Sequence, residues 1–93
     1  MLFEWDESKS RRNLAERGFD FGYATQVFAD PDRLERIDTR RNYGEERRQT
    51  VGAVADTILF VAFTLRGEAI RIISARRADE HETEAYHEGA AWK

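Results

Sequence analysis

"ILFVAFTLRGEAIRIISARRADEHETEAYHEG", residues 58–89, decides how this chain folds. Ile58–Leu65 is apolar on both faces of an extended segment and so reads as a strand central in a sheet. Arg66-Gly67 predicts a tight hairpin, and Ala69–Ala75 returns antiparallel. After Arg76-Arg77, Asp79 and Glu82 form an N-terminal capping pair for a helix that Gly89 ends. Strict alternation along the return strand puts Arg71, Ile73, Ala75 and Arg77 on one face. Ile70, Ile72, Ser74 and Arg76 fall on the other.

Working upstream, Arg48–Val54 reads as the preceding strand and "TRRNYGEE" as a loop. Arg33–Asp38 is a short strand whose charges suit an edge. At the N-terminus, "LFEW" is a short strand and Asp6 caps a helix over Glu7–Arg17, with Gly18 beyond it. Asp20 caps a second helix carrying Phe21, Ala24, Thr25 and Phe28, and Asp30-Pro31 stops it. The order β-α-α-β-β-β-β-α predicts an α+β fold. It is expected to be a small antiparallel sheet with two N-terminal helices on one side and a C-terminal helix. Ninety-three residues suit one such domain, spanning 1–93.

The chain has no cysteine, so neither a disulfide framework nor thiolate chemistry is available. The opening lacks the basic and apolar regions of a secretory leader. The longest apolar run, Ile58 to Phe63, is too short to cross a bilayer. A cytoplasmic protein without membrane contact is expected. The net charge is −3, but residues 33–77 hold ten arginines against six acidic residues. A basic middle between acidic ends makes a dipolar protein, and the local field governs what a phosphate meets.

Several chemistries fail on inspection. His81 and His87, the only histidines, lie six apart on one predicted helix and diverge, so they form neither a metal pair nor an acid–base pair. No metal site and no cofactor are expected. There is no glycine-rich phosphate loop, and Ser74 has no histidine near it in sequence. The arginines remain. Arg71 sits mid-strand, where a charge must face an open side of the sheet or pair with a carboxylate. Glu82 and Tyr86 are one helical turn apart, next to the strand exit at Arg76. Cations, a carboxylate and a phenol brought together suffice for phosphodiester chemistry on a 2′-hydroxyl. The plainer alternative makes Glu82 only a helix cap and Tyr86 only a core anchor.

"FEWDESKSRRNLAERG", "FADP", "YGEERRQTVG" and "IRIISARRADEHETEAYHE" occur in the order, and nearly at the spacing, of the BrnT family of bacterial toxins. The resemblance runs from Phe3 to about Glu88. It implies a RelE-like α+β ribonuclease that acts on RNA, mRNA above all and on or off the ribosome. The toxin would be silenced in a hetero-oligomer by a BrnA-like ribbon-helix-helix antitoxin, with operator DNA bound only through that partner. By position, Lys9 and Asn13 match the opening motif, Glu46 and Arg47 the loop motif, and Arg71 and Arg76 the last-strand motif. Arg76 and Tyr86 occupy places comparable to active-site residues of RelE-like enzymes. Motif matches and residue chemistry together make Glu46, Arg47, Arg71, Arg76, Glu82 and Tyr86 the expected catalytic set, with Lys9, Arg41, Arg48 and Arg77 expected to contact RNA. In this reading Glu46 and Arg47 stand at a strand mouth facing the strand-end arginines. The chain departs from the family where Glu16-Arg17 replaces a common Lys-His, and where the loop around Arg41 to Tyr43 lacks a histidine. A non-catalytic module acting only inside an antitoxin–DNA complex is the alternative.

Overall fold

Asp6 accepts hydrogen bonds from the Ser8 and Lys9 amides and so starts α1, Glu7–Arg17, directly after β1, Leu2–Trp5. In the computed structural model, which describes residues 1–89 with Ala91 and Trp92, Asp20 caps a single turn of α2, Phe21–Ala24. A 3-10 turn over Thr25–Ala29 follows. The second helix expected from the sequence is therefore one α-turn tightened into a 3-10 segment. Phe21, Ala24 and Val27, all buried, recur every three residues, and three residues per turn keep them on one face.

The remaining elements are β2 (Leu34–Asp38), β3 (Arg47–Val54), β4 (Thr57–Arg66), β5 (Ala69–Arg77) and α3 (Glu80–Glu88). They make a five-stranded sheet in the order β1-β5-β4-β3-β2. The α+β class stands, and β4 is central as its two apolar faces require. One detail differs: β1 runs parallel to β5, so the sheet is mixed, while every other pairing is antiparallel. The helical segment has to carry the chain from β1 across the sheet to β2 at the opposite edge.

One face of the sheet packs under α1, α2 and the 3-10 turn. Val54, Leu59, Val61, Phe63, Ile72 and Ala75 meet Phe19, Phe21, Ala24 and Val27 there. Gly52 is required at this layer. A Cβ on it would lie 2.9 Å from Arg33 Cβ and 3.0 Å from Val27 Cγ1. Ahead of the start of β2, Asp30 takes the place of a strand neighbour and accepts the Ala53 amide at 2.8 Å. Tyr86 of α3 donates to the same carboxylate oxygen at 2.6 Å, tying the last helix to the 3-10 turn round the sheet edge. α3 itself packs against β3.

The β4–β5 register slips between Ala62 and Phe63. Ala62 opposes Ser74, whereas Phe63 opposes Ile72, so Ile73 is an extra residue in β5. This is a β-bulge, and it resets which side chain points where. Ile72, Ala75 and Arg77 share the helix-covered face with Phe63, Val61 and Leu59. Arg71, Ser74 and Arg76 share the other face with Thr64, Ala62 and Phe60. The uninterrupted alternation expected from sequence, with Arg71 beside Arg77 and opposite Arg76, is thereby corrected.

Candidate nucleic-acid interface

On the face away from α1 and α2, cross-strand pairing lines up Asp38, Arg47, Thr64, Arg71 and Glu4 across all five strands. Arg47 and Arg71 flank the central strand, about 10 Å apart at Cα, two strand spacings. The next row is Arg36, Gln49, Ala62 and Ser74, and the one beyond it Leu34, Val51, Phe60 and Arg76. Thr64 donates its hydroxyl to the Glu46 carbonyl at 2.7 Å, which pins the end of the 39–46 loop to the sheet. Gly44, at φ 76°, lets that loop turn back, and its amide donates to Asn42 Oδ1.

The guanidiniums of this face differ in how firmly they are held. Arg47 stacks on the Tyr43 ring at 4.1 Å. Its buried Nε makes no hydrogen bond, and the Glu45 carboxylate stands 3.8 Å away. Arg71 reaches Glu4 at only 3.5 Å. Arg76 is locked: it makes two bonds to Glu82, at 2.8 and 2.9 Å, and lies on Phe60 at 4.0 Å. Hydrogen bonding to Glu82 raises its pKa despite partial burial. Arg40 grips Asp38 through two 2.9 Å bonds, and Tyr43 donates to that carboxylate at 3.2 Å. The Arg40 hydrogen bonds, aided by Tyr43, hold Asp38 well below the usual carboxylate range.

The residues singled out from sequence divide between two faces. Arg47, Arg71 and Arg76 come together on the open one. Glu46 and Arg48 do not join them. Glu46 pairs with Arg48 at 3.0 Å, and Arg48 also binds Glu35 at 2.8 Å, beside Arg33 on the helix-side face. Arg77 lies on that side too, donating to the Arg17 carbonyl at 2.9 Å. Lys9 is exposed on α1, in the helical layer, and Asn13 is buried, donating to the Phe19 carbonyl. Arg41 is exposed in the loop. Glu82 completes the capping box with Asp79 while holding Arg76. Tyr86 is committed to Asp30, which pushes its phenol up to about 12.

The expected juxtaposition of Glu46-Arg47 with Arg76-Arg77 is likewise corrected. Arg47 opposes Thr64 and Arg76 opposes Phe60, four residues along the central strand, or about 13 Å. Glu45, Tyr43, Asp38, Arg40 and Arg36 belong to the open face and were not singled out. The alternation of "LERID" carries the signal for Arg36 and Asp38. Nothing periodic in the loop marks Tyr43 or Glu45. Among the described residues, no three His, Asp or Glu side chains are grouped to hold a metal ion.

A small α+β domain that turns arginines from β2, β3 and β5 onto one partly open sheet face has the surface of a protein that handles polyanions. The family model described as "Ribonuclease toxin, BrnT, of type II toxin-antitoxin system" matches residues 5–82. The chain belongs to that family of ribonuclease toxins, and a type II system pairs the toxin with a protein antitoxin. No curated protein matches the chain. No helix among the described residues is long and apolar enough to cross a membrane.

Proposed function

We propose that this protein is a metal-independent endoribonuclease that cuts mRNA on its open sheet face and so halts translation. The observation that carries the reading is the bulge at Ile73, which brings Arg71 and Arg76 onto the face that already holds Arg47. In the proposed step the substrate 2′-oxygen forms a bond to phosphorus and the P–O5′ bond breaks. The 2′-hydroxyl proton passes to a carboxylate, and the leaving 5′-oxygen takes a proton from an acid. Arg47 and Arg71 hold the phosphorane charge, and Arg76 adds its field from a fixed position. Glu45 supports the role of base better than Glu46 or Glu82. It stands beside Arg47, whereas Glu46 faces the other side and Glu82 is bound twice over. Tyr43, whose ring carries the Arg47 guanidinium and whose hydroxyl reaches Asp38 at 3.2 Å against the 2.6 Å that binds Tyr86 to Asp30, is the proposed acid in place of Tyr86.

This chemistry yields a 2′,3′-cyclic phosphate and a 5′-hydroxyl, and it leaves DNA intact. Incubating the purified protein with RNA in excess chelator and mapping the new ends tests it. Activity lost on chelation, or 5′-phosphate ends, overturns the metal-free mechanism. A protein that cuts no RNA, alone or with ribosomes, would be a binding module only. The antitoxin is proposed to be a BrnA-like ribbon-helix-helix protein that covers the same basic face.

A further inference from the structure

On the open face, two aromatic rings in contact are held between two guanidiniums. Arg76 lies 4.0 Å over the Phe60 ring, Phe60 meets Trp92 edge-on at 6.4 Å, and Arg36 lies 3.9 Å over the indole. Arg36 Nε also donates to Gln49 Oε1 at 2.8 Å, which fixes the plane of its guanidinium before any ligand arrives. Phe60 is buried beneath this arrangement, whereas Trp92 is half-buried. Trp92 lies beyond residues 5–82, the stretch matched by the family model, so it is a feature of this chain that the family match does not describe.

An indole held this way differs from a core tryptophan. Its rigid partners are a cation and a ring, and those partners lie one and two rows along the sheet from Arg47 and Arg71, the arginines that would hold phosphate. A partner bound by charge alone would use Arg36 and leave the indole idle. A single-stranded RNA uses both, because its unstacked bases lie flat on aromatic rings while guanidiniums follow the backbone. Arg36 and Gln49 would keep the stack preorganised, so a base would find its platform already built.

We propose that Trp92, braced by Arg36 and Phe60, is a base-stacking subsite that receives one nucleobase of the RNA near the phosphate held on the open face. The proposal rests on the RNA-cleaving reading above and adds to it a place where a particular nucleotide is gripped. Trp92 is a positioning residue. It touches no reacting atom, and it would act on affinity and on where along the strand the cut falls.

The test is a double-mutant cycle. Binding of a fully 2′-O-methylated, fluorescein-labelled RNA octamer, which cannot be cut through its 2′-oxygens, is measured for wild type, Trp92→Ala and Trp92→Phe. Each is measured with the intact oligonucleotide and with a series carrying one abasic site at successive positions. Trp92→Ala should weaken binding by about 5- to 150-fold, the range for one base–aromatic stack, and Trp92→Phe should recover most of it. With one abasic position, and no other, the Trp92→Ala penalty should disappear. A merely structural role for Trp92 would give the same penalty at every position. Equal affinity of wild type and Trp92→Ala overturns the proposal, as does a penalty independent of the bases or no binding of the octamer by wild type. If wild type and Trp92→Ala cut unmodified RNA at the same sites and rates, the subsite is refuted while the ribonuclease reading stands. If Trp92→Ala changes only binding of the antitoxin, the indole belongs to a protein interface and the proposal fails.

Discussion

Arg71 and Arg77 make the sharpest test of how the sheet builds its site, because an uninterrupted strand would place them on one face. The bulge at Ile73 separates them. Arg71→Ala removes a loose pair, 3.5 Å from Glu4, whose partners are 28% and 42% exposed. Such pairs contribute about 0–1 kcal/mol, so the melting temperature should fall by no more than about 4–8 °C. If Arg71 holds the phosphorane, the chemical step should slow by about 10²- to 10³-fold, the usual loss when one positioned donor is removed. Arg77→Ala removes the same charge, a hydrogen bond to the Arg17 carbonyl and a contact over the Phe19 ring. It should lower stability at least as much and leave cleavage near wild type. The assay is single-turnover cleavage in excess chelator at a temperature where all variants are folded, with thermal melts followed by circular dichroism. Equal loss of cleavage in the two variants would refute the reasoning, for it is the outcome that plain alternation gives.

Gly52→Ala should destabilise the fold by about 1–3 kcal/mol, as overpacking does, because its Cβ would press on Arg33 and Val27; urea unfolding measures this. Tyr86→Phe should cost roughly 1.5–3 kcal/mol, the scale of a hydrogen bond to a charged group, yet retain cleavage when folded. Loss of cleavage in folded Tyr86→Phe would return that phenol to the active site. Because the folded Tyr86 phenol is pushed up to about 12 by its bond to Asp30, its stabilisation is complete below about pH 10 and lost as pH rises from there; Tyr86→Phe should lack this alkaline loss. Burial alone would raise Asp30, but hydrogen bonds from Ala53, Tyr86 and Asp32 outweigh it and hold the carboxyl low. Its contribution is therefore present above about pH 4 and lost on acidification through the lower folded value, so Asp30→Asn should flatten the acid side of the stability profile. Toxin–antitoxin affinity should fall with salt as the Debye length shrinks below about 10 Å; a salt-independent affinity would exclude a basic shared face.

Local signals made most of the fold legible. Asp6, Asp20 and Asp79 cap where their side chains can reach back to free amides, and the two-sided apolar run of β4 admits only the sheet centre. The parallel docking of β1 was not legible, since four residues carry no register and their partner lies 67 positions away. The bulge was hidden for a related reason. Ile72-Ile73 reads as two ordinary strand residues, and only the core's demand for both Ile72 and Ala75 forces the slip. One misplaced residue then sent Arg77 to the wrong face and hid the kinship of Arg71 with Arg76. Glu82 and Tyr86 were chosen for their chemistry, and their partners proved to be Arg76 with Asp79 and, on the far side of the edge, Asp30.

Arg40, Arg47, Arg71 and Arg76 on the open face each already face a carboxylate, and the tightness of that pairing sorts framework from contact. Arg76 with Glu82 and Arg40 with Asp38 are two-pronged, at 2.8–2.9 Å. Planar bidentate pairs resist displacement, and a phosphate would have to give back both bonds to replace either acid. Arg71 with Glu4 at 3.5 Å and Arg47 with Glu45 at 3.8 Å are a different matter. Arg47 even leaves a buried donor unmet, a cost that an incoming oxygen would remove. The two loosely held guanidiniums are those that flank the central strand. The carboxylate that phosphate would displace from Arg47 is Glu45, the proposed base. Substrate binding on this face would thus release the Glu45 oxygen that faces Arg47 as the acceptor for the 2′-hydroxyl proton, while Arg66, 3.7 Å from the other oxygen, keeps the carboxylate in place and the tight pairs hold the surrounding charges.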